Sequence, residues 1–248
     1  MEFYLLLGSF FLIALVYSSV GFGGGTSYIA ILAIMSVSFE LLRPTALLCN
    51  IVVVTSGSLI FYREGLLDLK KNWAFLLASV PMAFLGGYWP IKQGTFFVML
   101  GLTLMIASIV LWFQNSFQSK TTPPAGADNQ TIKAALGGGI GFLSGMVSIG
   151  GGIFLSPILH LLNWDHAKKI SAVASVFILV NSISGLAGQL MQKSVVDWKF
   201  VIPLLASVFV GGQIGSRLGS KKFNEVYIKR ITAVLIFVVA FKVLQDHW

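Results

Sequence analysis

The sequence is short of nearly everything that soluble enzymes rely on. Charged residues make up only 10% of the chain, where a soluble domain of this size carries about 25%. The single cysteine, Cys49, lies within an apolar run, so no intrachain disulfide can form. His160, His166 and His247 are too dispersed for a metal set. No HExxH, CxxC or paired-carboxylate pattern occurs, so the sequence shows no catalytic constellation, metal site or cofactor requirement. Acidic residues are scarce in the apolar runs, which leaves a carboxylate proton relay without a candidate. The N-terminus, Met1-Glu2-Phe3, lacks the basic region of a cleavable signal, so the first segment is expected to stay.

What the chain has in abundance is apolar surface. Hydrophobic residues are 56% of it, and runs long enough to cross a bilayer recur. A β-barrel would alternate over segments of about 10 residues. These runs are continuous, which predicts an all-α polytopic membrane protein with the lipid bilayer as its partner. The net charge of +8 is scattered through the loops, as membrane insertion requires, so no nucleic-acid partner is expected. Trp73, Trp89, Trp112, Trp164 and Trp198 fall near segment ends, as in an interfacial aromatic belt.

The segments come in two matching sets. Residues 3–20 and 25–37 flank the cluster Gly21-Phe22-Gly23-Gly24-Gly25, followed by apolar segments at 43–62, 73–90 and 95–113. A polar linker spans 114–133. Residues 134–147 and 152–163 then flank Ser148-Ile149-Gly150-Gly151-Gly152, followed by segments at 168–191, 199–217 and 226–245. Gly23-Gly24-Gly25 answers Gly150-Gly151-Gly152 at an offset of 127, and Trp73, Gly86-Gly87 and Lys92 answer Trp198, Gly211-Gly212 and Arg217 at 125. The chain therefore reads as a duplication, with repeats at 1–113 and 134–248.

Lysines and arginines choose the topology. If each glycine-broken segment spans the membrane, the 17 basic residues split 8 to 9. If each is instead a hairpin returning to its own side, they split 12 to 5, as the positive-inside rule asks. Arg43, Lys92, Lys193, Lys199 and Lys242 form the minority. Each repeat is then a hairpin plus three spans, the repeats are inverted, and both termini lie on the outer face. A 13-residue arm reaches about 20 Å, roughly to the midplane of a ~30 Å core.

A helix starting at either cluster points unpaired N–H groups and its positive dipole end at the membrane centre. Glycine lets an anion come close to that backbone. Gly23, Gly24, Gly25, Gly150, Gly151 and Gly152 are the candidate substrate-binding residues, with Thr26, Ser148, Asn50 and Asn181 completing the shell by neutral donors. No fully charged side chain is expected at the membrane centre. Arg43, Lys92 and Arg217 are candidates for gating or attracting an anion. The plainer reading of Lys92 and Arg217 is snorkelling at helix ends, and that of Arg43, before Pro44 at a helix start, is an outer-interface anchor. Gly86-Gly87 and Gly211-Gly212 read as close helix packing.

The run Ser144-Gly145-Met146-Val147-Ser148-Ile149-Gly150-Gly151-Gly152-Ile153-Phe154-Leu155-Ser156-Pro157 resembles the glycine-rich signature of the sulfite exporter TauE/SafE family of membrane permeases. Val20-Gly21-Phe22-Gly23-Gly24-Gly25-Thr26, Ala172-Val173-Ala174-Ser175 and Gly211-Gly212-Gln213-Ile214-Gly215-Ser216-Arg217-Leu218 extend the resemblance over the whole chain. Two departures stand out: the first arm lacks the proline, and Ser148 replaces a more usual glycine. The resemblance implies a non-enzymatic secondary transporter in the bacterial inner membrane, exporting a small sulfur-containing anion such as sulfite or an organosulfonate. Cation-coupled import of thiosulfate or sulfate, and a passive anion channel, are the alternatives.

Overall fold

The computed structural model describes residues 2–19, 21–113, 129–162, 164–192, 196–219 and 225–247. Linker residues 114–128 lie outside them, as do Lys120, Lys193, Lys221 and Lys222 of the charge count. The described residues form ten α-helices and no strand. They are α1 (Glu2–Ser18), α2 (Gly25–Ile34), α3 (Phe39–Arg63), α4 (Leu69–Tyr88) and α5 (Gln93–Phe113), then α6 (Gln130–Val147), α7 (Gly152–Leu161), α8 (Ala167–Leu190), α9 (Trp198–Gly219) and α10 (Glu225–His247). Among the described residues, four helices are long and apolar enough to cross a membrane: α3, α5, and residues Lys168–Leu190 of α8 and Trp198–Leu218 of α9.

Two boundaries differ from expectation. The residue before a proline disfavours helix, which sets the expected start of the third segment at Arg43–Pro44. The helix instead begins at Phe39, and Pro44 sits inside it. α6 begins at Gln130, within the expected linker, because the Asn129 side chain accepts from the Thr131 N–H and caps it.

Small residues set the packing. Gly137, Gly141 and Gly145 recur one helical turn apart and lay α6 on α4, where a Cβ would strike the carbonyls of Phe75, Ser79 and Ala83. Gly86 and Gly87 meet Phe142 and Gly185 in the same way, closing α4 against α6 and α8. In the other half, Gly211 and Gly215 bring α9 onto α1 at Phe11 and Leu15. The paired glycines of α4 and α9 thus serve close packing.

The breaks reverse the chain. Phe10 of α1 stacks on Tyr28 of α2 at 4.6 Å. Leu5, Leu6 and Ser9 share one surface groove with Ile31, Ile34 and Met35. Collinear helices would hold these residues far apart, so α2 runs back beside α1. In the second half, Lys133 near the start of α6 lies 4.6 Å from the ring of Trp164, just past the end of α7. The short arms α2 and α7 are 10 residues each, about 15 Å.

Aromatic and polar contacts join the helix ends. The start of α1 meets the start of α9 through Phe3–Phe200, and α3 and α5 meet at their starts through Phe39–Phe96. Gln192, just past α8, bonds the carbonyl of Tyr88 at the end of α4. Elsewhere, Lys71 of α4 pairs with Asp165 at 3.3 Å, and Arg230 of α10 lies over Trp112 of α5. Trp73, Trp89, Trp112 and Trp198 are exposed, as the belt predicts, but Trp164 is buried against Phe75, Lys71 and Lys133.

Candidate functional site

Both glycine clusters are fully buried, and their backbone explains their composition. Gly21, Gly24, Gly150 and Gly151 have φ between +81° and +85°, which side-chain-bearing residues rarely adopt. Gly24 and Gly151 are the N-caps of α2 and α7 and carry no side-chain cap bond. Their carbonyls accept from Ser27 and Tyr28, and from Phe154 and Leu155. Each arm therefore starts with first-turn N–H groups that have no intrahelical acceptor.

The two breaks are lined differently. The Asn50 amide presses on Gly23 and Gly25 so closely that a Cβ on either would collide with it. In the second half the corresponding contact to Gly150 and Gly152 is made by Ile178. Asn50 also donates from Nδ2 to the Ile149 carbonyl at 2.9 Å, tying the first break to the second. Its Oδ1 has no partner, nor do Thr26 Oγ1, Tyr28 OH, Ser144 Oγ, Ser182 Oγ and both amide atoms of Asn181, all buried. A buried polar group without a partner costs about 1–3 kcal/mol, and these groups lie on α2, α3, α6 and α8.

Arg43 overturns an expectation. It is neither an interface anchor nor outside the core but only 6% exposed. Nε donates to Ser148 Oγ at 3.2 Å and Nη2 to the Met146 carbonyl at 3.2 Å, while the guanidinium lies over Phe39 (5.4 Å) and Phe96 (5.3 Å). A full charge therefore does stand beside the second break. Burying it costs several kcal/mol, which neutral acceptors and ring faces only partly offset. The helix reaching back to Phe39 is what carries Arg43 inward.

Ser148 has φ +59°, ends α6, and accepts from both Arg43 and Gln189 (Nε2, 2.7 Å). Its hydroxyl thus does more than fill space. Gln189 was not a sequence candidate; its only signal is an amide near the end of an apolar segment. Lys92 and Arg217 are exposed, Lys92 just before α5 and Arg217 in the last turn of α9, two residues past the Gly215 that packs on Leu15 and Ser18 of α1. The hydroxyls of Thr45 and Thr55 bond back to Leu41 and Ile51 within α3. Cys49 is buried, and among the described residues no His, Cys, Asp or Glu cluster could hold a metal.

At the helix ends outside the breaks, Asp165 bridges Lys71 of α4 and Lys169 of α8 at 3.3 and 3.7 Å. Partial burial alone would raise its carboxyl, but the His166 N–H, Lys71 and Lys169 outweigh that and hold it below the usual carboxylate range.

The family profile described as sulfite exporter TauE/SafE matches residues 6–243. The chain is 31% identical over 238 residues to "Probable membrane transporter protein y4hK" of Sinorhizobium fredii, covering 95% of this chain and 96% of that protein. It is 24% identical to "Probable membrane transporter protein YunE" of Bacillus subtilis, over 89% of this chain and 90% of that one. No solved structure matches. With ten helices, uncapped glycine breaks and these relatives, the chain belongs to the sulfite exporter TauE/SafE family of membrane transporters.

Proposed function

We propose that the protein is a secondary transporter that moves a small sulfur-containing anion, sulfite or an organosulfonate, by alternating access around its two glycine breaks. One observation carries the reading: Arg43 and Asn50 of the first half both reach the break of the second, at Met146, Ser148 and Ile149. Cationic and amide donors thereby gather where uncapped helix starts already favour an anion.

The reading includes inverted repeats, and the helix-end contacts support it. Phe3–Phe200 and Phe39–Phe96 pair the starts of α1 with α9 and of α3 with α5, Gln192–Tyr88 pairs the ends of α8 and α4, and the short connections from α4 to α5 and from α8 to α9 put these on one side. Lys71–Asp165 and Lys133–Trp164 join the starts of α4 and α6 to the connection between the end of α7 and the start of α8, and Arg230–Trp112 joins the start of α10 to the end of α5. The first pair opens toward one set of ends, the second toward the other. Together with the basic-residue count, this favours an inner-membrane protein with both termini outside. A negative-inside potential then drives anion efflux by about 2.3 kcal/mol per charge per 100 mV. The burial of both breaks weighs against a standing open pore.

Sulfite efflux from proteoliposomes tests the reading. Gly151 has φ +81°, and a Cβ there would lie 2.9 Å from the Phe177 ring and 3.0 Å from Ser144. Gly151→Ala should lose about tenfold or more in flux. Gly139→Ala, with open space around it, should keep wild-type flux. Equal flux in Gly151→Ala, or no movement of sulfite or isethionate by the wild type, would overturn the proposal.

A further inference from the structure

Arg43 is buried without an acidic partner among the described residues. Glu40, one turn earlier on α3, is exposed and forms no ion pair with it. The guanidinium spends Nε on Ser148 and Nη2 on Met146, and its Nη1 edge has no described partner. Protein interiors rarely leave a charge in this condition unless something else supplies the opposite sign.

Other donors gather at the same break. Ser182 Oγ and Ser144 Oγ are unpartnered, on residues 0% and 1% exposed. They lie 2.7 Å and 3.2 Å from where Cβ atoms on Gly150 and Gly151 would stand. The 10-residue helix α7 starts there with no side-chain cap. The first break also has unpartnered hydroxyls, Thr26 Oγ1 and Tyr28 OH, but the side chains nearest Gly21 and Gly23 are Phe61, Ser171, Asn50 and Val54, none of them charged.

We propose that the transport site is lopsided. One monovalent oxyanion binds at the second break, its charge met by Arg43 and its oxygens by Ser144, Ser182 and the first-turn amides of α7. The first break, lined by the Asn50 amide, is its counterpart without that guanidinium. The inference rests on the transporter reading above and narrows its substrate. One cation among neutral donors balances one negative charge, whereas a dianion would carry a second charge into low dielectric with no counter-ion. The planar guanidinium presents paired N–H groups that match two oxygens of one group. The favoured class is therefore a monoanionic sulfonate or hydrogen sulfite, with sulfate disfavoured. Carboxylates share the charge and the paired oxygens but lack the third oxygen that the hydroxyls would hold.

Calorimetry on the full-length protein in detergent, with methanesulfonate, acetate and sulfate as probes, tests this beside sulfite efflux from proteoliposomes. The wild type should bind methanesulfonate at least about tenfold more tightly than sulfate, with acetate between. Arg43→Gln should weaken methanesulfonate about a hundredfold, the scale of removing one partner of a buried charge pair. Arg43→Lys keeps the buried charge and so guards against a folding failure; it should lose about tenfold through the paired geometry. Wild-type affinity in Arg43→Lys and Arg43→Gln, or sulfate binding as tight as methanesulfonate, overturns the inference. If sulfite efflux persists in that case, the transporter reading survives; if the wild type neither binds nor moves any anion, both fall.

Discussion

Replacing Ser148 separates two contributions that meet in one residue. Its Oγ accepts from a buried guanidinium at 3.2 Å and from the Gln189 amide at 2.7 Å. A hydrogen bond to a charged group is worth about 1.5–3 kcal/mol and a neutral one about 0.5–1.5. Ser148→Ala loses both and strands two buried donors, so unfolding free energy should fall by about 2–4 kcal/mol. Ser148→Gly loses the same bonds but relieves the left-handed backbone at φ +59°. That relief is worth about 1 kcal/mol. The glycine variant should therefore be the more stable of the two by about 1 kcal/mol, though still below wild type. Reversible unfolding in mixed micelles by SDS titration, followed by tryptophan fluorescence, measures both differences. If Ser148→Ala were as stable as wild type, the hydroxyl would not be bearing the Arg43 and Gln189 contacts. If alanine and glycine variants matched, the left-handed backbone would carry no strain.

Two further perturbations probe the frame around the site. Gly145 lies on the Ala83 carbonyl, so Gly145→Ala should push α6 off α4 and cost about 1–3 kcal/mol in the same titration; an unchanged midpoint would contradict the close packing. The Asp165 carboxyl is held below its ordinary range, so the Lys71–Asp165–Lys169 contact contributes stability at neutral pH that is lost as pH falls through the folded-state value. Because these groups are partly exposed, the effect should stay below about 1 kcal/mol and shrink with salt. Melting temperatures from pH 7 down to about pH 2.5 should fall less steeply for Asp165→Asn than for wild type, the difference opening below about pH 4, and parallel slopes would exclude the contact as the cause.

The chain's patterning makes several features legible before any folding is considered. Apolar run length fixes the helix count, because an unpaired backbone is intolerable in hydrocarbon. The clusters fix where α1 and α6 must stop: glycine takes the left-handed φ at Gly21, Gly24, Gly150 and Gly151 without strain, and Ser148 adopts it at the end of α6. The packing reading of Gly86-Gly87 and Gly211-Gly212 also follows from residue size alone: Gly86, Gly87 and Gly211 meet neighbouring helices closely, and Gly212 is in ordinary contact with Val53. Gly137, Gly141 and Gly145 carry the same signal.

Tertiary structure decided what pattern could not. Arg43 before a proline looks like a helix start at an interface, and only the extension of α3 to Phe39 buries it against Ser148. Trp164 looks like a belt residue until Lys71, Lys133 and Phe75 enclose it from α4 and α6. The breaks look equivalent in sequence, yet Asn50 fills one and Ile178 lies against the other. Each of these outcomes depends on partners roughly 25 to 105 residues away, and periodicity is local. The sequence by itself determined where the backbone must break; which break gained a charge was decided by the helix that crosses it.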